Sequence, residues 1–278
     1  MTAAARVRAA VRAHALVPLG RLFGAPRVQL TSPLTGAGNH LYDWLWAYRN
    51  DRPGSPARVQ HQPSMDPWLA EFPLLDGLTM PLAEAPRLFA DFRGSHEDMF
   101  AQHFTRAELD RFCRALVASS SSFRERLSRA EDELGPGAVV VNVRRGDYYA
   151  HDFLQAAYAL DVEGYVRASL RELRERGVPA DEVVIVSDDV PWCLRHLPAV
   201  VDLPLRPLAH RVSALDDFAA LAAARTLVLA NSTFSFWGAH VAAALRPHTV
   251  VLAPPYHLID DGVPDRKRFD PAWQVIDP

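Results

Sequence analysis

The stretch Ala138-Val139-Val140-Val141-Asn142-Val143-Arg144-Arg145-Gly146-Asp147-Tyr148 decides the fold of this chain. Its first six residues form a short, nearly continuous β-branched run, the pattern of a strand buried on both faces of a parallel sheet. Similar runs recur at Glu182 to Val186, Thr226 to Ala230 and His248 to Leu252. Helical patterns lie between them. Asp161 suits an N-cap for Val162 to Arg176, where Glu172 and Arg176 form an i,i+4 pair before Gly177 and Pro179 stop the helix. Ser213 with Asp216 reads as a capping box ahead of Leu215, Phe218 and Leu221, and a further helix is expected from about Phe234 to Leu245. Strand alternating with helix predicts an α/β, Rossmann-like domain.

The N-terminal half is less regular. Val28 to Thr31 reads as a strand, followed by a Gly-bearing turn and an apolar helix over Asn39 to Tyr48. Arg52 to Pro81 is rich in Pro and turn residues and is assigned no regular structure. Thr105 to Leu134 is expected to form one long helix, opened by a Thr105–Glu108 capping box. Gly135-Pro136-Gly137 then marks a linker, giving an N-terminal domain over 1–135 and a C-terminal domain over 136–278.

A length of 278 residues fits two domains on a prior of roughly 150 residues each. A net charge of −3 argues against a dedicated nucleic-acid binder. Two cysteines, Cys113 and Cys193, exclude a disulfide framework and a structural zinc site. No apolar run approaches the ~18 residues of a membrane span. The cations are 29 arginines and one lysine, Lys267, so a single Arg carries little information. Arg6, Arg8, Arg12, Arg21 and Arg27 precede the first acid, Asp43, and no clean apolar signal core accompanies them. The expectation is a cytoplasmic protein whose basic arm is either a loosely docked helix or a peripheral contact with the anionic inner face of the membrane.

Three loops stand at the carboxyl ends of strands, where open parallel sheets bind ligands. Arg144 and Arg145 can form a fork for a phosphate or pyrophosphate, or a plain surface pair with Asp147. Ser187-Asp188-Asp189, ahead of Trp192 and Cys193, can bind a metal, a base or a ribose, or cap the next helix. Asn231-Ser232-Thr233-Phe234-Ser235 offers hydroxyls and free N–H groups at a helix start, which is an anion site. Phe234, Phe236 and Trp237 read as packing residues. A fourth element, Gly36-Ala37-Gly38-Asn39-His40, permits close backbone approach to a ligand.

In this order, GxGN, RRGDY, SDD-x-x-W-C and NSTFSFWGA, the four motifs resemble the α-1,2-fucosyltransferases of glycosyltransferase family 11. The resemblance implies an α/β fold of GT-B type, two Rossmann-like domains facing across a cleft. It implies an inverting, metal-independent glycosyltransferase that moves L-fucose from GDP-fucose to a sugar hydroxyl in an α-1,2 linkage. No cofactor is implied beyond the donor substrate, and the partner is a glycan or glycoconjugate acceptor. Carried over by motif, Arg144 would neutralise the leaving pyrophosphate with Arg145 in support. Ser232, Thr233 and the backbone at Phe234 would hold the distal phosphate, next to Asn231, and Asp188 or Asp189 would recognise guanine or its ribose. Asp147 and Asp152 are both candidates for the base that takes the acceptor's proton.

Two positions depart from the family pattern. Asn142 stands where the family has His, and His40 stands where it has Gln after Gly36, Gly38 and Asn39. Asn142 still donates and accepts hydrogen bonds toward a base, and His40 is expected either to face the cleft or to serve as a plain helix-start histidine. Two alternatives therefore stay open: the same scaffold with another nucleotide sugar, and a non-catalytic nucleotide-sugar or glycan-binding relative.

Overall fold

The first strand of the chain, β1 (Arg27–Gln29), is central to a four-stranded sheet, with Val28 buried. The structure is a computed structural model and describes residues 11–86, 89–94, 104–246 and 248–278. Arg6 and Arg8 of the basic arm lie outside these residues, whereas Arg12 is docked, donating to the Ala90 carbonyl at 2.6 Å with its guanidinium over the Phe92 ring.

β1 pairs in parallel with β2 (Ala57–Gln60) and with a later strand, Asp91–Arg93, which is β4. β2 pairs in parallel with β3 (Thr79–Met80), so the order is β3-β2-β1-β4. The helix Ala37–Asn50 connects β1 to β2 and buries Leu41, Trp44 and Leu45. The stretch from Arg52 to Pro81 is not irregular as expected, since it holds β2, β3 and the short helices Asp66–Glu71 and Pro73–Gly77. Pro63, Pro67 and Pro73 sit at helix starts, where a missing N–H costs nothing, and they open helices rather than break them. Buried Val59, Met65, Phe72 and Leu75 then fix these short elements to the core.

The long helix expected over 105–134 is two helices, Arg106–Ser119 and Ser121–Glu133. The Thr105–Glu108 capping box is present. At the other end Ser120 takes an extended conformation, and the Ser119 hydroxyl donates back to the Leu116 carbonyl at 2.7 Å. Such side-chain competition for backbone groups is why a serine run weakens a helix interior. The chain divides into two compact units at this break, Met1–Ser120 and Ser121–Pro278, fifteen residues ahead of the 135/136 division expected from the glycines. The helix Ser121–Glu133 belongs with the second unit, where Phe123 meets Phe218 at 5.7 Å. Gly135-Pro136-Gly137 forms the turn into the next strand, closed by Ala138 N–H on the Gly135 carbonyl.

That strand is β5 (Ala138–Val143), buried along its whole length. It is flanked in parallel by β6 (Glu182–Ser187) and by β8 (Thr226–Val228). β7 (Leu205–Pro207), β9 (Val250–Ala253) and β12 (Gln274–Val275) extend the sheet, all in parallel, to the order β12-β9-β8-β5-β6-β7. A separate antiparallel hairpin joins β10 (Leu258–Asp260) and β11 (Val263–Asp265). Counting the six sheet strands from β5, the order is 3-2-1-4-5-6, which is the Rossmann order, and the first unit's sheet runs 3-2-1-4 in the same way. The chain is therefore α/β with two Rossmann-like parallel sheets.

The caps work as the sequence predicts. Asp161 accepts from Gly164 N–H at 3.0 Å, and the Ser213–Asp216 capping box opens the helix Ala214–Ala223. That helix packs on Thr233–Leu245 through Gly238, where an added Cβ would lie 2.5 Å from Leu221 Cβ. Gly238→Ala is therefore expected to push two buried helices apart and cost about 1–3 kcal/mol of stability; an unchanged denaturation midpoint would show that the contact yields freely. Among the described residues no helix is long and apolar enough to cross a membrane, and both cysteines are free and buried.

Candidate functional site

In the Rossmann order the connections reverse direction between strands 1 and 4, here β5 and β8, and the crevice outside their carboxyl ends is where such sheets take ligands. β5 delivers Arg144 to Tyr148 to this point and β8 delivers Asn231 to Thr233. The two loops touch, the Tyr148 hydroxyl lying 3.4 Å from the Asn231 carbonyl. Tyr148 is stacked on Tyr158 at 4.4 Å, and burial pushes its phenol above the ordinary range.

Arg144 lies half-exposed between two carboxylates. Its Nη2 donates to Asp147 Oδ1 at 2.6 Å, and its Nη1 is 2.9 Å from Asp188 Oδ2. Asp188 also accepts the Arg145 backbone N–H through Oδ1 at 2.9 Å. Arg145 points elsewhere. Its guanidinium sits between the rings of Tyr149 (4.2 Å) and Trp192 (4.0 Å), with Nε 3.4 Å from Asp189 Oδ2 but not aligned for a hydrogen bond. Asp189 caps the helix Val190–His196 by accepting Trp192 N–H at 3.0 Å.

On the β8 side Ser232 is the N-cap of Thr233–Leu245, yet its side chain caps nothing. The first-turn N–H groups of a helix have no intrahelical acceptor, so buried Ser232 and half-buried Thr233 stand with a set of N–H dipoles at a positive helix end. Ser235 instead turns inward and accepts Ala230 N–H at 3.2 Å. Phe234 is half-buried against Phe218, while Phe236 and Trp237 are fully buried, so all three are packing residues.

Asn142 and Asn231 are both buried tethers. Asn142 Nδ2 donates to the Val186 carbonyl at 2.8 Å, tying β5 to β6 at their carboxyl ends. Asn231 Nδ2 donates to the carbonyls of Tyr158 (2.8 Å) and His257 (3.3 Å), gathering three loops around the site. His257 is buried beside Phe236 and takes an N–H from Arg268 at 2.9 Å on Nδ1. Tyr158, His257 and Arg268 carry no motif signal in the sequence. Trp192 lies within the SDD-x-x-W-C motif and Tyr148 within RRGDY, which is the signal that could have drawn attention to the rings around the arginines.

Asp152 is exposed in the first turn of Asp152–Tyr158. That short helix is stapled beside the arginine loop by the Tyr148–Tyr158 stack and by Tyr149 Oη, which donates to the Leu160 carbonyl and accepts its N–H. Among the described residues no group of three or more His, Cys, Asp or Glu is arranged to hold a metal ion.

The GxGN element belongs to the first unit. Gly36 is the N-cap of Ala37–Asn50, and a Cβ there would meet nothing within 4 Å. Gly38 is buried, and Asn39 Oδ1 is buried with no hydrogen-bond partner among the described residues. His40 lies in the first turn of this helix and is fully buried. Its Nδ1 lies 3.5 Å from Asp43 Oδ2, and its Nε2 lies 3.3 Å from Ser64 Oγ and 3.4 Å from Thr35 Oγ1. Burial pushes the Asp43 carboxyl up to about 6 despite the His40 contact.

Comparison with known proteins places the chain. The sequence pattern of glycosyl transferase family 11 matches residues 114–277, which takes in all of the loops just described except the GxGN element. No curated protein matches. Solved structures of POFUT1 are similar at low level. One in complex with GDP shares 16% identity over 67% of this chain and 56% of its own, with a TM-score of 0.37. Another GDP complex shares 11% over 82% and 96%, with 0.43, and a GDP-fucose complex shares 13% over 82% and 71%, with 0.36. This chain thus spans little more than half of the first of them, and scores this low carry no argument. The family match covers more than half of the chain, and on it the chain belongs to glycosyl transferase family 11.

Proposed function

We propose that this protein is an inverting, metal-independent α-1,2-fucosyltransferase that moves L-fucose from GDP-fucose to a hydroxyl of a glycan or glycoconjugate. The observation that carries the reading is the meeting, through Tyr148 and Asn231, of a guanidinium-bearing loop with an uncapped helix N-terminus at the sheet's switch point. Transfer builds negative charge on the departing diphosphate. Arg144 is placed to neutralise that charge, the role a metal ion plays in other transferases. Ser232, Thr233 and the Phe234 N–H hold the distal phosphate. Asp147 already holds Arg144, so the base we assign is Asp152, which makes no hydrogen bond or ion pair among the described residues and is open to an incoming hydroxyl.

On this reading the second unit binds the nucleotide sugar and the first serves the acceptor side. The protein acts in the cytoplasm, and exposed Leu22 and Phe23 beside the basic arm suit contact with an anionic membrane face. Thermal-shift measurements with GDP, UDP and dTDP test the donor assignment. Stabilisation by GDP is expected, and stabilisation by UDP alone would overturn it.

A further inference from the structure

Asp188 sits where the base-recognition role was expected, but both of its oxygens are already in use. Oδ2 takes the Arg144 side chain at 2.9 Å, and Oδ1 takes the Arg145 main-chain N–H at 2.9 Å. One carboxylate therefore holds both the Arg144 guanidinium and the backbone that follows it. The chain makes room for this contact. A Cβ on Gly146 would lie 2.4 Å from Asp188 Oδ2, so a residue larger than glycine would drive the carboxylate away.

Arg145 is the fixed point of the same loop. Its guanidinium is sandwiched by Tyr149 and Trp192. Trp192 is stacked in turn on His196 at 4.4 Å and 11°, and His196 Nδ1 is 3.0 Å from Glu163. A planar cation held between two rings gains from both faces.

We propose that Asp188 is a positioning residue for transfer, holding Arg144 in line with the leaving diphosphate while Arg145, seated between Tyr149 and Trp192, anchors the loop. This rests on the donor-site reading above and narrows it: Arg144 alone of the pair meets the phosphates, and Asp188 does not read the base.

Asp188→Asn separates the possibilities. Asparagine keeps the shape but offers one oxygen to two donors, so one of the two contacts is lost whichever way the amide turns. The expected result is a fall in kcat of about 10²-fold, the scale for a misplaced catalytic group, with an unchanged preference for GDP over inosine diphosphate, which lacks the guanine amino group. Gly146→Ala displaces the same carboxylate without altering its charge, and is expected to lower kcat in the same way with the melting temperature kept. The proposal is overturned if Asp188→Asn abolishes the GDP-over-inosine-diphosphate preference, because Asp188 then reads the base. It is equally overturned if both variants turn over like the wild type. Failure of the wild-type chain itself to bind GDP would instead overturn the donor-site reading.

Discussion

Replacing Arg144 with Ala is expected to lower kcat for transfer by about 10²–10³, the usual cost of removing one preorganised donor from a developing oxyanion. The side chain is half-exposed and lies at a loop, so its loss opens no core cavity, and the melting temperature is expected to hold. Removing the cation also leaves Asp147 and Asp188 without the group that stands between them. Two carboxylates would then face an incoming diphosphate, and GDP affinity is expected to fall as well. Arg144→Lys is expected to recover little, because a compact ammonium cannot reach two carboxylates and a phosphate with the flat geometry of a guanidinium. Steady-state kinetics with a melting curve on the same samples make the check. Near-normal turnover in Arg144→Ala would remove the basis of the site.

Lowering the pH from 7 to 5 is expected to move the two units in opposite directions. In the second, burial and the neighbouring Arg268 guanidinium depress the His257 imidazolium from the ordinary 6.5 to about 3. The folded value lies below the unfolded one, so the unfolded chain alone takes up a proton as pH falls below 6.5. The stability that His257 contributes is complete above 6.5 and drains away toward 3, a loss of about 2 kcal/mol by pH 5. In the first unit Asp43 has the opposite sign. Burial raises its carboxyl from 3.8 to about 6. Its contribution is complete below 3.8 and is lost as pH rises through 6, so moving from pH 7 to 5 regains about 1 kcal/mol. Amide hydrogen exchange resolves such local differences. Protection around His40 and Trp44 is expected to rise at pH 5, and protection around Phe236 and His257 to fall. Asp43→Asn and His257→Gln are expected to flatten the respective responses. Parallel movement of both units, undiminished in the variants, would contradict these signs.

The second sheet could be read in the sequence because its strands are buried on both faces, so Val139, Val141, Val183 and Ile185 leave an unbroken apolar signature. The caps at Asp161, Ser213 and Thr105 were equally legible, since capping chemistry is local. Between Arg52 and Pro81 the elements are only two to six residues long and gain stability from burial of Met65, Phe72 and Leu75, which periodicity cannot register at that length. The serine break at Ser120 failed for the related reason that its competitor is a side-chain hydroxyl, not a helix-breaking residue.

The site shows the same division. Arg144, Ser232 and Thr233 stand at strand or helix ends, where sequence order reports position. The burial of His40, the tethers made by Asn142 and Asn231, and the seat of Arg145 between two rings arise from residues 3 to 73 positions apart, and no motif spacing reports them.

A crystal structure of the chain soaked with GDP tests the donor site most directly. The expected density places the diphosphate within hydrogen-bonding distance of the Arg144 guanidinium and of Ser232, Thr233 and the Phe234 N–H, with Arg145 still between Tyr149 and Trp192. A nucleotide bound away from the β5–β8 switch point, or one whose phosphates contact neither Arg144 nor the start of the Thr233–Leu245 helix, would contradict the assignment.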